Sequence, residues 1–555
     1  MSNEPVRGGD NLWDLLMGGA AGSRSSALHC WTGDGFDTAS WTEVVRDAET
    51  MTAGLRRAGI RPGTRVATIL TNNPHAVRGM LGVWLAGGAI ASLPVPARGM
   101  DHMEYAQQLR TICEQLQPAA FLVEEGMLGL LPDELRSRLN ACSWQSFVGS
   151  GRVDSSPPED EELAFIQYSS GSTSTPKGCM LTPRAIAAQI ELVTEMIEGR
   201  PGREVTVSWL PLSHDMGMFG CLLTSWANDF ELYLSTPERF MMSARTWFGD
   251  MARVGATLTA GTNTALHLAA RAHRSVGPPA ALQTRVCIIG AERVEWDTLR
   301  LVTEVLGPYG LRAQTLMPGY GLAEATLAVT ATPAPEPPRY LVLDATALAH
   351  GDLQEAAPNS PSATGIVSAG LPCRGVELPG STTSLAEINV RSRCLATGYL
   401  GDEQRTRACF RDGTVATGDL GFVRDGYLYP VGRIDDIISV GGRKVYAHEV
   451  ENAVDLLDGA RRGCSTLVAR YAGKLRFTLL VELKVGGCDY QALAEQAAAL
   501  TMAKAAIALD ECVFLERNSL PKTPSGKIQR HRCRQMLDAG RFESLATIEL
   551  AGGMR

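Results

Sequence analysis

The chain has 555 residues, of which 45% are hydrophobic and 20% charged, and its net charge is −8. A chain of this length predicts about two to four structural units, and its apolar content excludes global disorder. The acidic balance argues against nucleic acid as a partner, because nucleic-acid-binding surfaces are usually basic.

The 13 cysteines are scattered singly and form no Cys-x-x-Cys pair. They predict free thiols in a reducing compartment rather than a disulfide framework or a zinc site. The N-terminus lacks the apolar core of a signal peptide. The uncharged run Met80–Leu93 is shorter than the roughly 20 residues that span a bilayer. We therefore expect a cytoplasmic protein without a transmembrane segment.

The first predicted elements are a strand, a helix and a second strand, over Arg65–Leu70, Pro74–Leu85 and Ala89–Val95. The strands are short apolar runs, and the helix is the longer stretch between them. This order predicts βαβ units and a mainly parallel sheet. A further buried strand is predicted at Val286–Gly290.

Two stretches are typical of connections between elements. Ser150–Glu162 is rich in serine, proline and acidic residues, and Thr330–Pro338 contains four prolines in nine residues. The second stretch is therefore predicted to be extended and not helical. A domain boundary is predicted near Gly432, because Lys444–Glu451 begins what resembles a compact α+β unit of about 120 residues.

The sharpest local signal is Tyr168–Thr182, which combines hydroxyl residues, glycines and Lys177. Small residues let backbone N–H groups approach an anion closely, and the lysine adds positive charge, so the segment suits nucleotide phosphates. It is not a Walker A loop, because the Gly-x4-Gly-Lys-Ser/Thr spacing is absent. The alternative is a flexible Ser/Gly linker, which the apolar flanks and the Pro176-Lys-Gly turn disfavour.

Four more motifs follow this loop along the chain. They are Pro318–Thr326, Thr417–Gly421, Gly432–Gly442 and Pro521–Arg530. With the first motif, and in this order, they resemble the adenylate-forming superfamily of acyl-CoA synthetases, luciferases and nonribosomal adenylation domains. The resemblance covers roughly residues 40 to 530.

The resemblance implies an α/β fold with two domains. Residues 1–432 would form a large N-terminal domain of mixed and parallel sheets flanked by helices, the adenylate-forming ligase fold. Residues 433–555 would form a small mobile α+β C-terminal domain that carries the catalytic lysine. The hinge between them would be Asp435.

The resemblance also implies ATP and Mg²⁺ as cofactors and a set of site residues. Glu324 would hold Mg²⁺, since oxygen ligands suit that hard cation. Tyr320 would stack on adenine, and Asp419 and Arg433 would contact the ribose. Lys527 would bridge the carboxylate and the α-phosphate, where charge builds in the transition state. The remaining nucleotide-binding residues would be Ser169, Ser170, Gly171, Ser172, Thr173, Lys177, Gly290, Ala291, Glu292, Gly319 and Gly321.

The segment Trp209–Gly220 resembles the Trp-Leu-Pro-x-x-His-Asp-Met-Gly motif of fatty acyl-AMP ligases. The stretch Arg339–Ala369 lies where that branch carries an insertion, which hampers use of CoA there. The implied acceptor is then the phosphopantetheine thiol of an acyl carrier protein, and the implied substrate is a small-molecule carboxylic acid. The implied acyl pocket is lined by His214, which is also a catalytic candidate, and by Asp215, Met216, Gly217, Asn263 and Thr264.

Two positions depart from that branch. Thr264 stands where an aromatic residue is usual, and Asp435 with Gly441-Gly442 is more similar to enzymes that use CoA. The leading hypothesis is an acyl-AMP ligase that loads a carrier protein. The alternatives are an acyl- or aryl-CoA ligase and a catalytically silent binding protein that keeps the fold.

Overall fold

The structure is a computed structural model. It describes residues 11–18, 24–96, 102–169, 177–360, 362–380, 383–434, 437–440, 443–472, 474–484, 489–505, 507–522 and 528–550. Within these segments, no helix combines the length and the apolar character that crossing a bilayer requires.

The strands are β1 (Ala27–Trp31), β2 (Phe36–Ser40), β3 (Arg65–Thr68), β4 (Ala89–Ser92), β5 (Ala120–Val123), β6 (Cys142–Ser143), β7 (Phe165–Ser169), β8 (Lys177–Leu181), β9 (Val205–Ser208), β10 (Glu231–Leu234), β11 (Leu258–Gly261), β12 (Val286–Ile289), β13 (Leu316–Gly321), β14 (Ala328–Ala331), β15 (Tyr340–Asp344), β16 (Ala363–Val367), β17 (Leu371–Pro372), β18 (Ala386–Arg391), β19 (Phe410–Arg411), β20 (Thr414–Arg424), β21 (Tyr427–Arg433), β22 (Ile437–Val440), β23 (Arg443–Tyr446), β24 (Ala460–Ala472), β25 (Lys474–Leu483), β26 (Glu511–Leu515) and β27 (Ser544–Glu549).

The α-helices are α1 (Leu12–Met17), α2 (Trp41–Arg57), α3 (Pro74–Leu85), α4 (His102–Leu116), α5 (Asp133–Arg138), α6 (Pro183–Met196), α7 (Thr224–Ala227), α8 (Pro237–Met242), α9 (Arg245–Val254), α10 (Asn263–His273), α11 (Trp296–Leu306), α12 (Ala345–Ala349), α13 (Glu403–Cys409), α14 (Ala447–Val454), α15 (Tyr490–Ala505) and α16 (Arg530–Asp538). A π-helix, Met216–Leu223, leads into α7.

Two sheets form the centre of the N-terminal part. One has the strand order β6-β5-β3-β4-β7-β8 and is parallel except for β8. The other has the order β17-β14-β13-β12-β11-β9-β10-β1-β2 and is parallel from β13 to β1. The predicted βαβ unit is confirmed as β3, α3 and β4, and the predicted strand near residue 286 is β12.

Helix α3 shows why the chain folds in this way locally. The Asn73 side chain accepts a hydrogen bond from the His75 N–H, and Pro74 occupies the first turn, where its missing donor is harmless. Nine of its residues are buried, because α3 lies within the core of the domain. A Cβ on Gly79 would approach the Trp144 ring to 2.2 Å, so this position requires glycine.

Between β14 and β15 the proline-rich stretch forms no helix, as predicted. It is not extended throughout, because a turn forms in which the Glu336 N–H donates a hydrogen bond of 2.8 Å to the Pro333 carbonyl. The predicted insertion, residues 339–369, contains the antiparallel hairpin of β15 and β16 with α12 between them. Strands β18, β19, β20 and β21 then form a separate antiparallel sheet.

The C-terminal domain is a four-stranded sheet in the order β24-β25-β26-β27, with helices on both faces. Successive side chains of a strand point to opposite faces. Leu479 of β25 accordingly packs in the core beneath α14 and α15, whereas Leu480 packs beneath α16. This mixture confirms the α+β character predicted for the small domain.

Candidate active site

The predicted phosphate loop begins and ends in a β-hairpin. Strands β7 and β8 pair antiparallel, with Ser169 opposite Lys177. The Lys177 ammonium lies 5.5 Å from the centre of the Tyr399 ring, within the range of a cation–π contact. Tyr399 is fixed there because residues 398 and 400 exchange backbone hydrogen bonds with β8.

The predicted metal ligand belongs to the same cluster. The Tyr399 hydroxyl donates a hydrogen bond of 2.7 Å to Oε1 of Glu324. Burial, followed by the charge of Glu324, raises the pKa of Tyr399 well above its usual value, so this phenol remains a donor. Lys177, Tyr399 and Glu324 therefore form one contiguous group of a cation, a phenol and a carboxylate.

The surroundings of Glu324 decide whether this carboxylate suits Mg²⁺. The described segments contain no group of three or more His, Cys, Asp or Glu side chains placed to hold a metal ion. Mg²⁺ needs no such cage, because it commonly binds one or two carboxylates together with water and substrate phosphates. A single carboxylate near a phosphate loop therefore fits this ion.

A second group forms where β13 meets β20 and β21. The Tyr320 hydroxyl donates a hydrogen bond of 2.6 Å to Oδ2 of Asp419. Arg433 pairs with Asp419 across the ladder, and its Nε lies 3.8 Å from Oδ1. Burial, followed by the neighbouring Asp419, raises the pKa of Tyr320 well above its usual value. The three predicted adenosine-binding residues are therefore adjacent.

The backbone at Asp419 is held by its neighbours. Thr417 Oγ1 accepts a hydrogen bond of 3.0 Å from the Asp419 N–H and donates one of 2.7 Å to the Ile388 carbonyl. The Gly418 N–H donates a hydrogen bond of 2.9 Å to the Glu387 carboxylate. These bonds fix the orientation of the carboxylate on β20.

His214 lies two residues before the π-helix. Its Nδ1 is 2.6 Å from Oδ1 of Asp215, which also accepts a hydrogen bond of 2.7 Å from the Met216 N–H. The side chain of Gln167, on β7, donates a hydrogen bond of 2.9 Å to the carbonyl of Ser213. This bond ties the histidine segment directly to the strand that leads into the phosphate loop.

Gly217 makes the close packing of this segment possible. A Cβ at this position would approach the Pro211 carbonyl oxygen to 2.3 Å. Any larger residue would therefore displace backbone and not merely a flexible side chain. The close packing therefore requires glycine at this predicted acyl-pocket position.

The predicted segment Gly290–Glu292 contacts the predicted acyl-pocket residues. Ala291 has a φ of 66°, in the left-handed region that non-glycine residues seldom occupy. Such strain often accompanies functional sites. The Glu292 carboxylate accepts a hydrogen bond from the Thr264 N–H, and Asn263 Oδ1 accepts one of 3.0 Å from the Glu295 N–H. The first turn of α10 is thus held by this segment.

Three of these segments meet around Gly290. A Cβ on Gly290 would lie 3.6 Å from the Gly319 carbonyl oxygen and 3.9 Å from the Met216 sulfur. The backbone of Gly321 approaches Leu327 so closely that its Cβ would lie 2.0 Å from that carbonyl oxygen. The adenosine and acyl segments therefore share one region at the ends of the central strands.

Several predicted residues lie outside the described segments. They are Ser170, Gly171, Ser172, Thr173, Asp435 and Lys527. For two of these stretches the residues on either side are described and pair with each other. Ser169 pairs with Lys177, and Lys522 pairs with Ile528.

Sequence reasoning missed four residues at or beside the site. Tyr399 and Gln167 belong to none of the motifs, yet they join Glu324 and Ser213 to neighbouring segments. The other two are Arg293 and Glu449. Arg293 donates a hydrogen bond of 2.7 Å to Glu449 of the C-terminal domain. Each partner lies far away in sequence, so no local pattern pointed to them.

Residues 20–400 match the family model of the AMP-binding enzyme. The chain belongs to this AMP-binding enzyme family, which confirms the predicted adenylate-forming family and its ligase class.

The long-chain-fatty-acid–AMP ligase FadD32 of Mycolicibacterium smegmatis is 27% identical over 563 residues, covering 89% of this chain and 88% of its own. The 4-hydroxyphenylalkanoate adenylyltransferase of Mycobacterium marinum is 26% identical over 541 residues, covering 90% and 86%. A solved structure from a study of fatty acyl-adenylate ligases of E. coli and L. pneumophila has a TM-score of 0.87 at 23% identity. It covers 97% of this chain and 99% of that one, which confirms the predicted fold.

Proposed function

We propose that the protein activates a carboxylic acid with ATP to give an acyl adenylate and pyrophosphate. It then transfers the acyl group to the phosphopantetheine thiol of an acyl carrier protein. The observation that carries the proposal is the assembly of two groups, Lys177–Tyr399–Glu324 and Tyr320–Asp419–Arg433, from separate segments of the chain. The two groups are neighbours, because the charge of Glu324 helps to raise the pKa of Tyr320. The first suits a triphosphate, and the second suits an adenosine.

Adenylation joins two anions, so the site must neutralise charge and align the reactants. Lys177 and the hydroxyl-rich loop beside it hold the phosphates. Glu324, oriented by Tyr399, holds Mg²⁺, which neutralises phosphate charge when bound. Lys527 bridges the carboxylate and the α-phosphate, where it stabilises the developing charge.

The nucleoside is held by the second group. The hydroxyl of Tyr320 is anchored on Asp419, which fixes the ring as a surface for adenine. Asp419 accepts hydrogen bonds from the ribose hydroxyls, as a carboxylate with two oxygens can. Arg433 lies beside that carboxylate and supplies further donors to the ribose.

The acyl group is bound by the π-helix and the strands beneath it. Leu210, Met216, Cys221 and Ala260 form a buried apolar cluster there. His214 and Asp215 lie at the head of the same helix, next to the carboxylate that reacts. The two relatives named above differ in the acid that their names give, a long-chain fatty acid and a 4-hydroxyphenylalkanoate. We propose a fatty or related acyl acid.

The second half-reaction uses a different arrangement of the domains. Residues 433–555 rotate about Asp435, so that Lys527 leaves and the turn at Gly441-Gly442 approaches the acceptor tunnel, a hinge motion between two discrete states. The thiol sulfur bonds to the acyl carbon, the bond from that carbon to the phosphate oxygen breaks, and AMP leaves. The thiol proton passes to solvent.

The acceptor is assigned from the insertion. Thr364, at the start of β16, donates a hydrogen bond to Glu449, and the Lys504 ammonium donates 2.7 Å to the Ala363 carbonyl. The insertion therefore packs on the C-terminal domain, and we propose that this packing hampers the use of free CoA. A carrier protein brings its own binding surface. The described cysteines are free thiols, which fits the cytoplasmic location that we propose.

The test is exchange of labelled pyrophosphate into ATP with a panel of fatty and aryl acids. We expect exchange with one class of acid. Lys527→Ala should lose exchange but still transfer a supplied acyl adenylate, and normal exchange by this variant would contradict its role. CoA and a phosphopantetheinylated carrier are then offered side by side. Efficient formation of acyl-CoA would favour the CoA-ligase alternative, and no exchange with any acid would favour the silent homologue.

A further inference from the structure

One ion pair joins the C-terminal domain to the segment beside the predicted acyl pocket. The Arg462 guanidinium donates a hydrogen bond of 2.7 Å to Oε2 of Glu295. The two side chains are only 28% and 26% exposed, so solvent screens their attraction less than that of a pair on the open surface. Neither residue lies in the insertion, so this contact is distinct from those by which the insertion packs on the C-terminal domain.

Glu295 is attached to the first turn of α10. Its N–H donates a hydrogen bond of 3.0 Å to Oδ1 of Asn263, a predicted acyl-pocket residue. Glu295 is also the N-cap residue of α11, yet its carboxylate accepts no cap hydrogen bond from that helix, all of which is described. The carboxylate extends to Arg462 instead. Glu295 therefore connects the acyl-pocket segment directly to the C-terminal domain.

Arg462 lies in an irregular stretch of β24, where the pairing with β25 shifts register. The next residue, Gly463, has a φ of 67°, in the left-handed region that favours glycine. Its N–H donates a hydrogen bond of 2.6 Å to Asp455, and its carbonyl accepts one from the Lys522 ammonium. The backbone beside Arg462 is therefore held on both sides within the C-terminal domain.

Lys522 stands at the base of the loop that carries the proposed catalytic lysine. It pairs with Ile528 in an isolated β-bridge, and Lys527 lies between these two residues in the sequence. Just beyond the bridge, Arg530 donates two hydrogen bonds of 2.9 Å to the Glu451 carboxylate of α14. Both ends of the loop are therefore attached to the body of the C-terminal domain, and its distance from the acyl pocket depends on where that domain lies.

We propose that Arg462 and Glu295 are positioning residues for adenylation. Their ion pair holds the C-terminal domain in the arrangement that places the base of the Lys527 loop on the side of the acyl pocket. The contacts run without a break from the first turn of α10 through the pair to Lys522. The pair opens when the domain rotates for transfer to the thiol, because its two partners belong to different domains. The inference rests on the proposed function, since it names residues that favour the first half-reaction.

The test measures the two half-reactions separately in the full-length protein. We expect Arg462→Ala and Glu295→Gln, which keeps the size of the side chain, each to lower kcat for pyrophosphate exchange about fivefold, because a partly shielded ion pair is lost. Arg462→Lys keeps the charge and should retain most of the exchange. Transfer of a supplied acyl adenylate to a phosphopantetheinylated carrier should be at least as fast as in the unmodified protein, since the pair opposes that arrangement of the domains.

Arg476→Ala is the matched control. Arg476 pairs with Glu549 at 2.6 Å within the C-terminal domain, and its side chain is similarly shielded, at 24% exposure. This variant loses an ion pair of the same kind but no contact between the domains. It should therefore leave the ratio of the two half-reaction rates unchanged.

Each outcome decides a separate point. Unchanged exchange in Arg462→Ala would overturn the inference, and so would an equal fall of exchange and transfer, because the pair would then serve only the stability of the fold. Additive losses when Arg462→Ala and Glu295→Gln are combined would also overturn it, since the two residues would then act independently. Absence of exchange in the unmodified protein with every acid of the panel would instead contradict the proposed function.

Discussion

Tyr399 donates a 2.7 Å hydrogen bond to Glu324, while its ring lies beneath the Lys177 ammonium. One side chain thus connects the end of the phosphate loop to the predicted metal ligand. Glu324 follows β13 and Lys177 begins β8, and these strands belong to different sheets. The alignment of the two charged groups depends on this tyrosine.

Tyr399→Phe tests that dependence. The substitution removes the hydrogen bond but keeps the ring beneath Lys177. A hydrogen bond to a charged group contributes about 1.5–3 kcal/mol, so we expect kcat for pyrophosphate exchange to fall about ten- to a hundredfold. The Mg²⁺ concentration for half-maximal rate should rise. Tyr427→Phe is the control, because Tyr427 also donates to a glutamate, Glu336, away from the site. Equal behaviour of the two variants would contradict the positioning role.

Sequence reasoning pointed to candidate site residues that lie in motifs and missed residues that lie outside them. Tyr320, Asp419 and Arg433 were predicted from separate motifs. The structure brings them together because Asp419 of β20 pairs with Arg433 of β21 and accepts a hydrogen bond from Tyr320 of β13. Tyr399 was missed because it belongs to none of the motifs, and only the fold brings it to Glu324, 75 residues away. Nothing local encodes such a contact.

The same distinction holds for the fold. The βαβ unit around α3 follows from hydrophobic runs and a proline at the helix start, which are local properties. The packing of the insertion on the C-terminal domain depends on Thr364 and Glu449, two ordinary polar residues 85 positions apart. Their meeting follows from tertiary packing that no spacing rule predicts.

Gly217 and Gly220 lie three residues apart in the π-helix and provide a matched pair of glycine positions for substitution. A Cβ on Gly217 would lie 2.3 Å from the Pro211 backbone oxygen, whereas one on Gly220 would lie 3.0 Å from the flexible Leu327 side chain. We expect Gly217→Ala to lower the free energy of unfolding by about 3 kcal/mol and Gly220→Ala by about 1 kcal/mol or less. Urea denaturation of both variants measures this difference. Equal destabilisation of the two variants would show that the contact with the Pro211 backbone does not determine the cost of a side chain at residue 217.

Arg293 connects the site to the C-terminal domain. It donates to Glu449, which is buried, and to the Gly365 carbonyl of the insertion. Burial alone would raise the pKa of Glu449 and favour its neutral form. The charge of Arg293 and the hydrogen bond from His448 outweigh this effect and hold the pKa of the carboxyl well below its usual range.

Arg293→Ala should therefore leave a buried carboxylate without its main partner. Loss of one partner of a buried pair costs about 3–5 kcal/mol, so the thermal unfolding midpoint should fall. Adding Glu449→Gln should restore part of the loss, since the uncompensated charge is then removed. A double-mutant cycle measures the coupling, and purely additive effects would contradict this account.

Asp455, a buried residue of the C-terminal domain, provides a test with pH. Burial is the main reason that its pKa rises to about 7, against the hydrogen bonds from Gly463 and Ser465. The nearby carboxylates Glu451 and Glu295 raise it further. In the unfolded chain the pKa of an aspartate is about 3.9. The folded protein therefore keeps a proton that the unfolded chain releases between these two values.

Linkage fixes the sign of the effect. Since the folded state binds more protons between about pH 4 and pH 7, the free energy of unfolding falls as pH rises through this window and levels off above it. The upper limit is about 4 kcal/mol, from roughly three pH units at 1.36 kcal/mol each. Asp455→Asn cannot ionise, so its stability should lack this slope.

The measurement is urea denaturation of the wild type and Asp455→Asn at several pH values across this window. The advantage of the wild type over the variant should decrease with rising pH, and the variant should become the more stable protein near pH 8 if it keeps the hydrogen bond to Gly463. Asp458→Asn, at a fully exposed position three residues away, should follow the wild type, because an exposed surface charge contributes little to stability. Parallel curves for the wild type and Asp455→Asn would show that Asp455 is ionised throughout this window and would contradict its raised pKa.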